Sequence, residues 1–254
     1  LADFDFSEDE IRRYARHILL VEVGGTGQAK LKAASVLIVG AGGLGSPLAL
    51  YLAAAGVGKI GIIDPDLLEL SNLQRQIAHT TGRIGALKVD SAAQAMGEIN
   101  PLVSVKTYAM KLDAANVAGL IAQYDVICDG TDNFEARFLL ADACVAGRRT
   151  LVSAAVLRFE GQISTFKPHA DPHGPCYRCL YPEPPPDGLV PSCSEAGVLG
   201  AVTGVMGTLQ ATEVLKEIMG LGESLSGRLI IWDALSMRFR EVRLKKDPAC
   251  PVCH

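Results

Sequence analysis

"VLIVGAGGLGSPLALYLAAAGVGKIGIID", residues 36–64, decides the fold. An apolar run ends in a glycine turn spelling G-x-G-x-x-G at Gly40, Gly42 and Gly45. A small-residue helix follows, and an acidic residue, Asp64, stands 19 positions past the last glycine. Strand, tight turn, helix and a second strand ending in a carboxylate are the parts of a dinucleotide-binding βαβ unit. Glycine lets the strand turn sharply into a helix whose free amides face phosphate, and the Asp64 carboxylate can accept hydrogen bonds from ribose hydroxyls. Such a turn places a nucleotide without specifying a hydride. A dehydrogenase needs in addition a nicotinamide pocket and a substrate acid or base, and the sequence carries no motif for either.

The alternation continues on both sides. Ser7-Glu8-Asp9-Glu10 fits a capping box for a helix through about Leu20; a Gly-Gly break and a short helix near 28–33 follow. Strands are expected at 35–40, 59–64, 103–108, 124–129 and 150–156, with helices at 45–56, 85–99, 114–122 and 133–146 between them. Strict alternation with short connections means a largely parallel, doubly wound sheet with helices on both faces. After Ala155 the pattern changes. "RFEGQISTFKP" reads as an antiparallel continuation and "RLIIWDALSMRFREVRL" as a hairpin, with a Pro-rich loop and a helix of about 196–220 between them. Gly197, Gly200, Ala201, Gly204 and Gly207 would let another backbone approach that helix, from inside the fold or from a second subunit.

The expected class is therefore α/β: a Rossmann-like, mostly parallel sheet extended by antiparallel strands, in one domain over residues 1–254. N-terminal helices occupy 1–34, a nucleotide-binding half 35–156, and an antiparallel extension with a crossover loop 157–254. Hydrophobic residues make up 49% of the chain, ample for such a core, and a net charge of -4 argues against a nucleic-acid binder held by charge. Residues 33–58 carry no charge and could span a bilayer by length, but glycines and Pro47 interrupt them. A strand followed by a buried helix accounts for the run better, so no membrane span is expected. No signal-like stretch is visible either, and a cytoplasmic protein is expected.

Beyond Asp64, "SNLQRQ" places Asn72, Arg75 and Gln76 after the second strand, and Lys88 opens the next helix. All fall at the carboxyl end of the sheet, where ligands bind in open α/β folds. Arg75 can form a planar fork on phosphate oxygens and Lys88 offers a mobile point charge, a combination suited to a triphosphate. Either residue alone would read as a solvated surface charge. "DVICDGTDNFEAR" brings Asp129, Asp132 and Asn133 to the same edge. A hard carboxylate there could hold Mg2+ shared with phosphate oxygens, and equally Asp132 or Asn133 could simply cap the next helix.

Four of the seven cysteines form two C-x-x-C pairs, Cys176/Cys179 and Cys250/Cys253, separated by 70 residues. Two such knuckles present four thiolates tetrahedrally, which favours a closed, structural zinc site tying the tail to the body. Each pair alone could be a redox pair, and His173 or His254 could replace a thiolate. Cys193, in a loop away from both pairs, is either a nucleophile or incidental; Cys128 and Cys144 read as core.

Together these residues resemble the MoeB/ThiF/HesA family, bacterial relatives of the ubiquitin-activating enzymes, over essentially the whole chain. The likeness rests on "RRYARHILL", "GAGGLGSP", "DPDLLELSNLQRQ", the lysine of "GALKVDSA", "DGTDNFEAR" and the two knuckles. The resemblance implies ATP-dependent adenylation of the C-terminal glycine of a small ubiquitin-like sulfur carrier ending in Gly-Gly, of the MoaD/ThiS kind, with release of pyrophosphate. It implies a nucleotide site built on Gly40, Gly42, Gly43, Gly45, Asp64 for the ribose, and Asn72, Arg75, Gln76 and Lys88 for the phosphates. Asp132, with Asn133 beside it, would bind Mg2+. Arg16 would reach the ATP of a partner subunit, which implies a homodimer. A loop cysteine like Cys193 engages the carrier covalently in some relatives and is dispensable in others. This sequence stops at His254, so a separate sulfur donor, a cysteine desulfurase or a rhodanese, is expected, unless the chain is trimmed. Molybdopterin, thiamin, tRNA thiolation and cysteine synthesis all use such enzymes, and the selectivity lies in a carrier surface. An NAD-dependent dehydrogenase, an enzyme acting on a modified tRNA base and a non-catalytic holder of a ubiquitin-like protein are the competing readings.

Overall fold

The computed structural model describes residues 5–186, 189 and 196–253. Two N-terminal helices, α1 (Glu8–Ile18) and α2 (Gly24–Ala33), precede β1 (Ser35–Val39), α3 (Gly45–Ala55), β2 (Lys59–Ile63), α4 (Lys88–Ile99), β3 (Ser104–Tyr108), α5 (Val117–Ile121), β4 (Val126–Asp129), α6 (Phe134–Ala146) and β5 (Thr150–Leu157). The chain then runs through β6 (Glu160–Phe166), a short α7 (Tyr177–Leu180), the long α8 (Gly200–Met219), β7 (Arg228–Asp233) and β8 (Arg238–Arg243). One eight-stranded sheet results, in the order β3-β2-β1-β4-β5-β6-β7-β8. The first five strands pair in parallel and the last three add on antiparallel, as the sequence pattern requires.

Strand side chains alternate between faces, so a strand covered on both sides is apolar throughout. In β1, Val36 and Ile38 enter one core with α3, α4 and α8, while Leu37 and Val39 enter a second with α5 and α6. The order reverses between β1 and β4, and the chain leaves both strands on the same edge, at Gly40 and Gly130. That gap at the switch point is where an open α/β sheet receives a ligand. The two turns meet backbone to backbone: Gly40 has φ +98°, and a Cβ there would lie 2.8 Å from the Gly130 carbonyl oxygen. A Cβ on Gly45 would collide with the Gly40 carbonyl, so this glycine serves helix-to-strand packing.

Several boundaries differ from the sequence reading. The Ser7 capping box is present, but Gly24 and Gly25 open α2 instead of breaking it: Gly24, at φ +56°, turns the chain while its N–H still donates to Leu20. The helix expected at 85–99 starts at Lys88, because Gly85 and Ala86 exchange backbone hydrogen bonds with Leu68. The helix expected at 114–122 shrinks to α5, since the Asp113 carboxylate takes the amides of Ala115 and Asn116 in a turn. Of the glycines in the long helix, Gly200 packs against the Gln74 backbone and Gly207 against Leu44, both within the fold; Gly204 has open space beside it. Cys128 and Cys144 are core residues, and Cys193 lies outside the described residues. Among the described residues no helix is long and apolar enough to cross a membrane.

Candidate functional site

A cavity of about 620 Å³ opens at the switch point. Gly40, Gly42 and Gly43 form one wall, Asp64 and Asp66 a second, and Gly130 through Asn133 a third; Arg75, Gln76 and Lys88 also reach it. The volume suits a nucleotide-sized ligand. β2 carries Asp64 to its place. One carboxylate oxygen accepts from the Ala41 N–H at 2.8 Å and the other from the Asp66 N–H at 2.9 Å, while burial pushes its pKa upward against those bonds. Asp64 therefore both ties β2 to the glycine turn and lines the cavity.

Lys88 is held at two points by Asp66. Its backbone N–H donates to the Asp66 carbonyl at 3.0 Å and its Nζ to the Asp66 carboxylate at 2.6 Å. An ammonium has three donors, so two remain for other acceptors. Arg75 leans on the Ser71 carbonyl at 3.2 Å, and among the described residues the rest of its fork has no partner. Gln76 is buried with its Oε1 unpartnered among the described residues.

Other sequence candidates are placed differently. Asn72 is buried behind this wall, does not line the cavity, and accepts from the Glu69 N–H through Oδ1. Asp129 is no metal ligand: it is fully buried, accepting from Thr131 N–H and Oγ1 on one oxygen and from Arg137 and Ser153 on the other. An ion pair of this kind, with Arg137 also donating to the Thr131 carbonyl at 2.6 Å, fixes the loop that presents Asp132. Asp132 itself is exposed into the cavity, whereas Asn133 caps α6 by accepting from the Ala136 N–H at 2.9 Å. Of the two roles open in the sequence, the cap thus falls to Asn133. Arg16 lies exposed on the last turn of α1 and does not line this chain's cavity.

The four knuckle cysteines converge. Their sulfurs all lie within 4.8 Å of one another, with 3.6 Å between Cys176 and Cys250 and 3.5 Å between Cys179 and Cys253. Tetrahedral thiolates at 2.3 Å from zinc stand about 3.8 Å apart, so the donor set fits that ion. The first knuckle is locked to the body without it. Arg178 forms a two-point ion pair with Asp142 on α6, and Tyr177 packs edge-on against Phe138 and Phe166.

Sequence reasoning missed Asp66 and His79. Asp66 stands two residues after Asp64, and that i, i+2 spacing of carboxylates at a strand end was the available signal. Nothing local marked His79, which is buried behind the glycine turn.

The ThiF family profile matches residues 14–252. The chain is 52% identical over 248 residues to "Adenylyltransferase and sulfurtransferase MOCS3" of Bos taurus, covering 97% of this chain and 54% of that protein. It is 45% identical over 251 residues to "Sulfur carrier protein adenylyltransferase" of Thermus thermophilus, covering 98% of this chain and 92% of that protein. A crystal structure of E. coli MccB with ATP superposes with a TM-score of 0.83 at 23% identity, over 95% of this chain and 74% of that one; this likeness bears on the fold. The chain thus spans about half the length of the first relative and nearly all of the second.

Proposed function

Because this chain belongs to the ThiF family, we propose that it is an adenylyltransferase that activates the C-terminal glycine of a ubiquitin-like sulfur carrier, of the MoaD/ThiS kind, with ATP. The observation that carries the reading is the convergence of Lys88, Arg75 and Asp132 on one cavity beside the glycine turn. A dinucleotide's pyrophosphate is already met by the helix amides at such a turn, so two further cations suit a triphosphate better.

The chemistry asks little else of the protein. A carboxylate oxygen of the carrier attacks the α-phosphorus, the bond from that phosphorus to the bridging oxygen breaks, and pyrophosphate departs with the electron pair. An acyl-adenylate remains. Both partners are anions, so cations that neutralise the α-phosphate and the leaving group lower the barrier. Lys88 can hold a phosphate oxygen while still paired with Asp66, and the Arg75 fork suits the outer phosphates. No general base is needed, since a C-terminal carboxylate is ionised at neutral pH. Asp132, a carboxylate exposed into the cavity beside the glycine turn, would hold Mg2+, which would supply further charge neutralisation. The cavity also continues past the nucleotide region along Ala155 of β5 and Gly161 and Ile231 of the antiparallel arm, a lane for an extended Gly-Gly tail.

The same reading makes the four-cysteine cluster a structural zinc site and the protein a homodimer, in which Arg16, exposed beside Leu19 and Val21, reaches the neighbouring ATP. Sulfur comes afterwards from a donor such as a cysteine desulfurase or a rhodanese. ATP-pyrophosphate exchange is the test. Exchange that appears only with a carrier ending in Gly-Gly supports the proposal; absence of exchange across a panel of such carriers rejects it.

A further inference from the structure

His79 has no place in the chemistry above, yet it is buried at 6% exposure directly behind the turn. Its Nε2 lies 3.0 Å from the Ala41 carbonyl oxygen and its Nδ1 2.9 Å from the Ser91 hydroxyl on α4. A carbonyl can only accept, so Nε2 carries the proton and donates. Ser91 in turn takes a hydrogen bond from Arg83 at 3.2 Å, which leaves its own hydroxyl hydrogen to serve Nδ1. Arg83 also donates to the Ser91 and Ala78 carbonyls. Burial, with Lys88 and Arg83 nearby, pulls the pKa of His79 down, in keeping with a neutral ring of this tautomer.

Ala41 is thus gripped on both sides, its N–H by Asp64 and its C=O by His79. The second grip has a consequence one atom further along the chain. The Ala41 C=O and the Gly42 N–H belong to one peptide unit, no peptide among the described residues is cis, and in a trans peptide the two point in opposite directions. Pulling the carbonyl toward His79 turns the Gly42 N–H away from it. Gly42 lines the cavity, and among the described residues neither its N–H nor that of Gly43 has a hydrogen-bond partner. Glycine has no Cβ to resist rotation of that peptide, so the sequence at the turn does not itself fix the direction of the amide.

We propose that His79 is a positioning residue that holds the Ala41–Gly42 peptide so that the Gly42 amide faces the phosphates of the bound nucleotide. The proposal rests on the ATP reading above and adds to it a device that acts on the turn from outside the cavity. A preset amide dipole costs no reorganisation when the anion arrives, which distinguishes it from a flexible glycine loop.

Binding separates this role from mere packing. Affinity for a non-hydrolysable ATP analogue is measured by calorimetry and affinity for adenosine, which has no phosphate, by ligand-observed NMR, with the full chain and Mg2+ present. His79→Phe keeps a ring in the space and removes the donor; His79→Gln returns a donor. The expected result is a loss of about 10-fold to 100-fold in ATP-analogue affinity for His79→Phe, the range of one hydrogen bond serving a charged group. Adenosine affinity stays at the parent value and His79→Gln recovers most of the loss. Unchanged ATP-analogue affinity, or an equal fall for adenosine, overturns the proposal. If His79→Phe fails to fold, Ser91→Ala, which removes the hydroxyl orienting the ring, is read the same way, with a smaller loss confined to the phosphate-bearing ligand. A parent chain that binds no ATP analogue rejects the adenylation reading itself, a result distinct from either outcome for the variants.

Discussion

The two ends of the sheet are stabilised in different ways. In the parallel half β2, β1, β4 and β5 are largely covered on both faces, β4 is buried at every residue, and only the edge strand β3 lacks a buried residue. At the other end every residue of β8 is exposed; Phe239 stacks on Trp232 with ring centroids 5.6 Å apart, and Glu241 pairs with Arg228. Beyond β8 the tail returns to the body at a cluster of three buried cysteines with Cys179, Val145 and Val252. The parallel half thus forms most of a core that α8, Ile163 and Trp232 complete, and it carries a buried ion pair at its edge. Of the antiparallel arm, β8 supplies surface, and the tail beyond it meets the body at four cysteines with the spacing of a metal donor set.

Four substitutions probe that contrast through chemical denaturation, beginning with the largest effect. Asp129→Asn leaves Arg137 charged and unpaired in the parallel half, and a loss of about 3–5 kcal/mol is expected. A loss below about 1 kcal/mol would mean that water reaches the pair and that the edge is less closed than described. Leu52→Ala, at a fully buried site on α3, is expected to cost about 2–5 kcal/mol. Phe239→Ala, at 54% exposure on β8, should cost no more than about 1.5 kcal/mol, the worth of an aromatic pair. An equal cost at the two sites would abolish the distinction. Asn133→Ala removes the α6 cap, for about 1 kcal/mol.

Metal removal sharpens the comparison differently. Chelation or Cys250→Ser is expected to leave the denaturation midpoint of the parallel half nearly unchanged and to expose residues 244–253 to limited proteolysis. The reason is that Arg178, Asp142 and the aromatic cluster secure the first knuckle independently, whereas the second knuckle depends on its thiolates. Collapse of the whole fold on chelation would show that the clamp supports the core as well.

How much of this was legible in the sequence follows the same division. In the parallel half one signal marks each part: apolar runs give strands, and Gly40, Gly42 and Asp64 give the turn and its carboxylate. The knuckles were readable because C-x-x-C spacing survives a gap of 70 residues. What escaped were side chains whose role depends on a partner distant in sequence. Asp129 has a metal ligand's chemistry until Arg137 and Ser153 are seen to occupy it. His79 shows no motif because its partners are a carbonyl 38 residues away and a serine 12 residues away. Helix starts shifted where backbone pairing, as of Leu68 with Gly85 and Ala86, outcompeted local helix formation.

On the proposed adenylation, the chemistry lies at the carboxyl edge of the parallel strands and the cysteine cluster has a purely structural part. Pyrophosphate exchange by Lys88→Ala and Cys250→Ser, measured side by side with matched ATP and carrier, tests this most directly. Lys88→Ala is expected to slow exchange by about 100-fold to 1000-fold, while Cys250→Ser exchanges close to the parent rate. A Lys88→Ala chain that exchanges as fast as its parent would contradict the account.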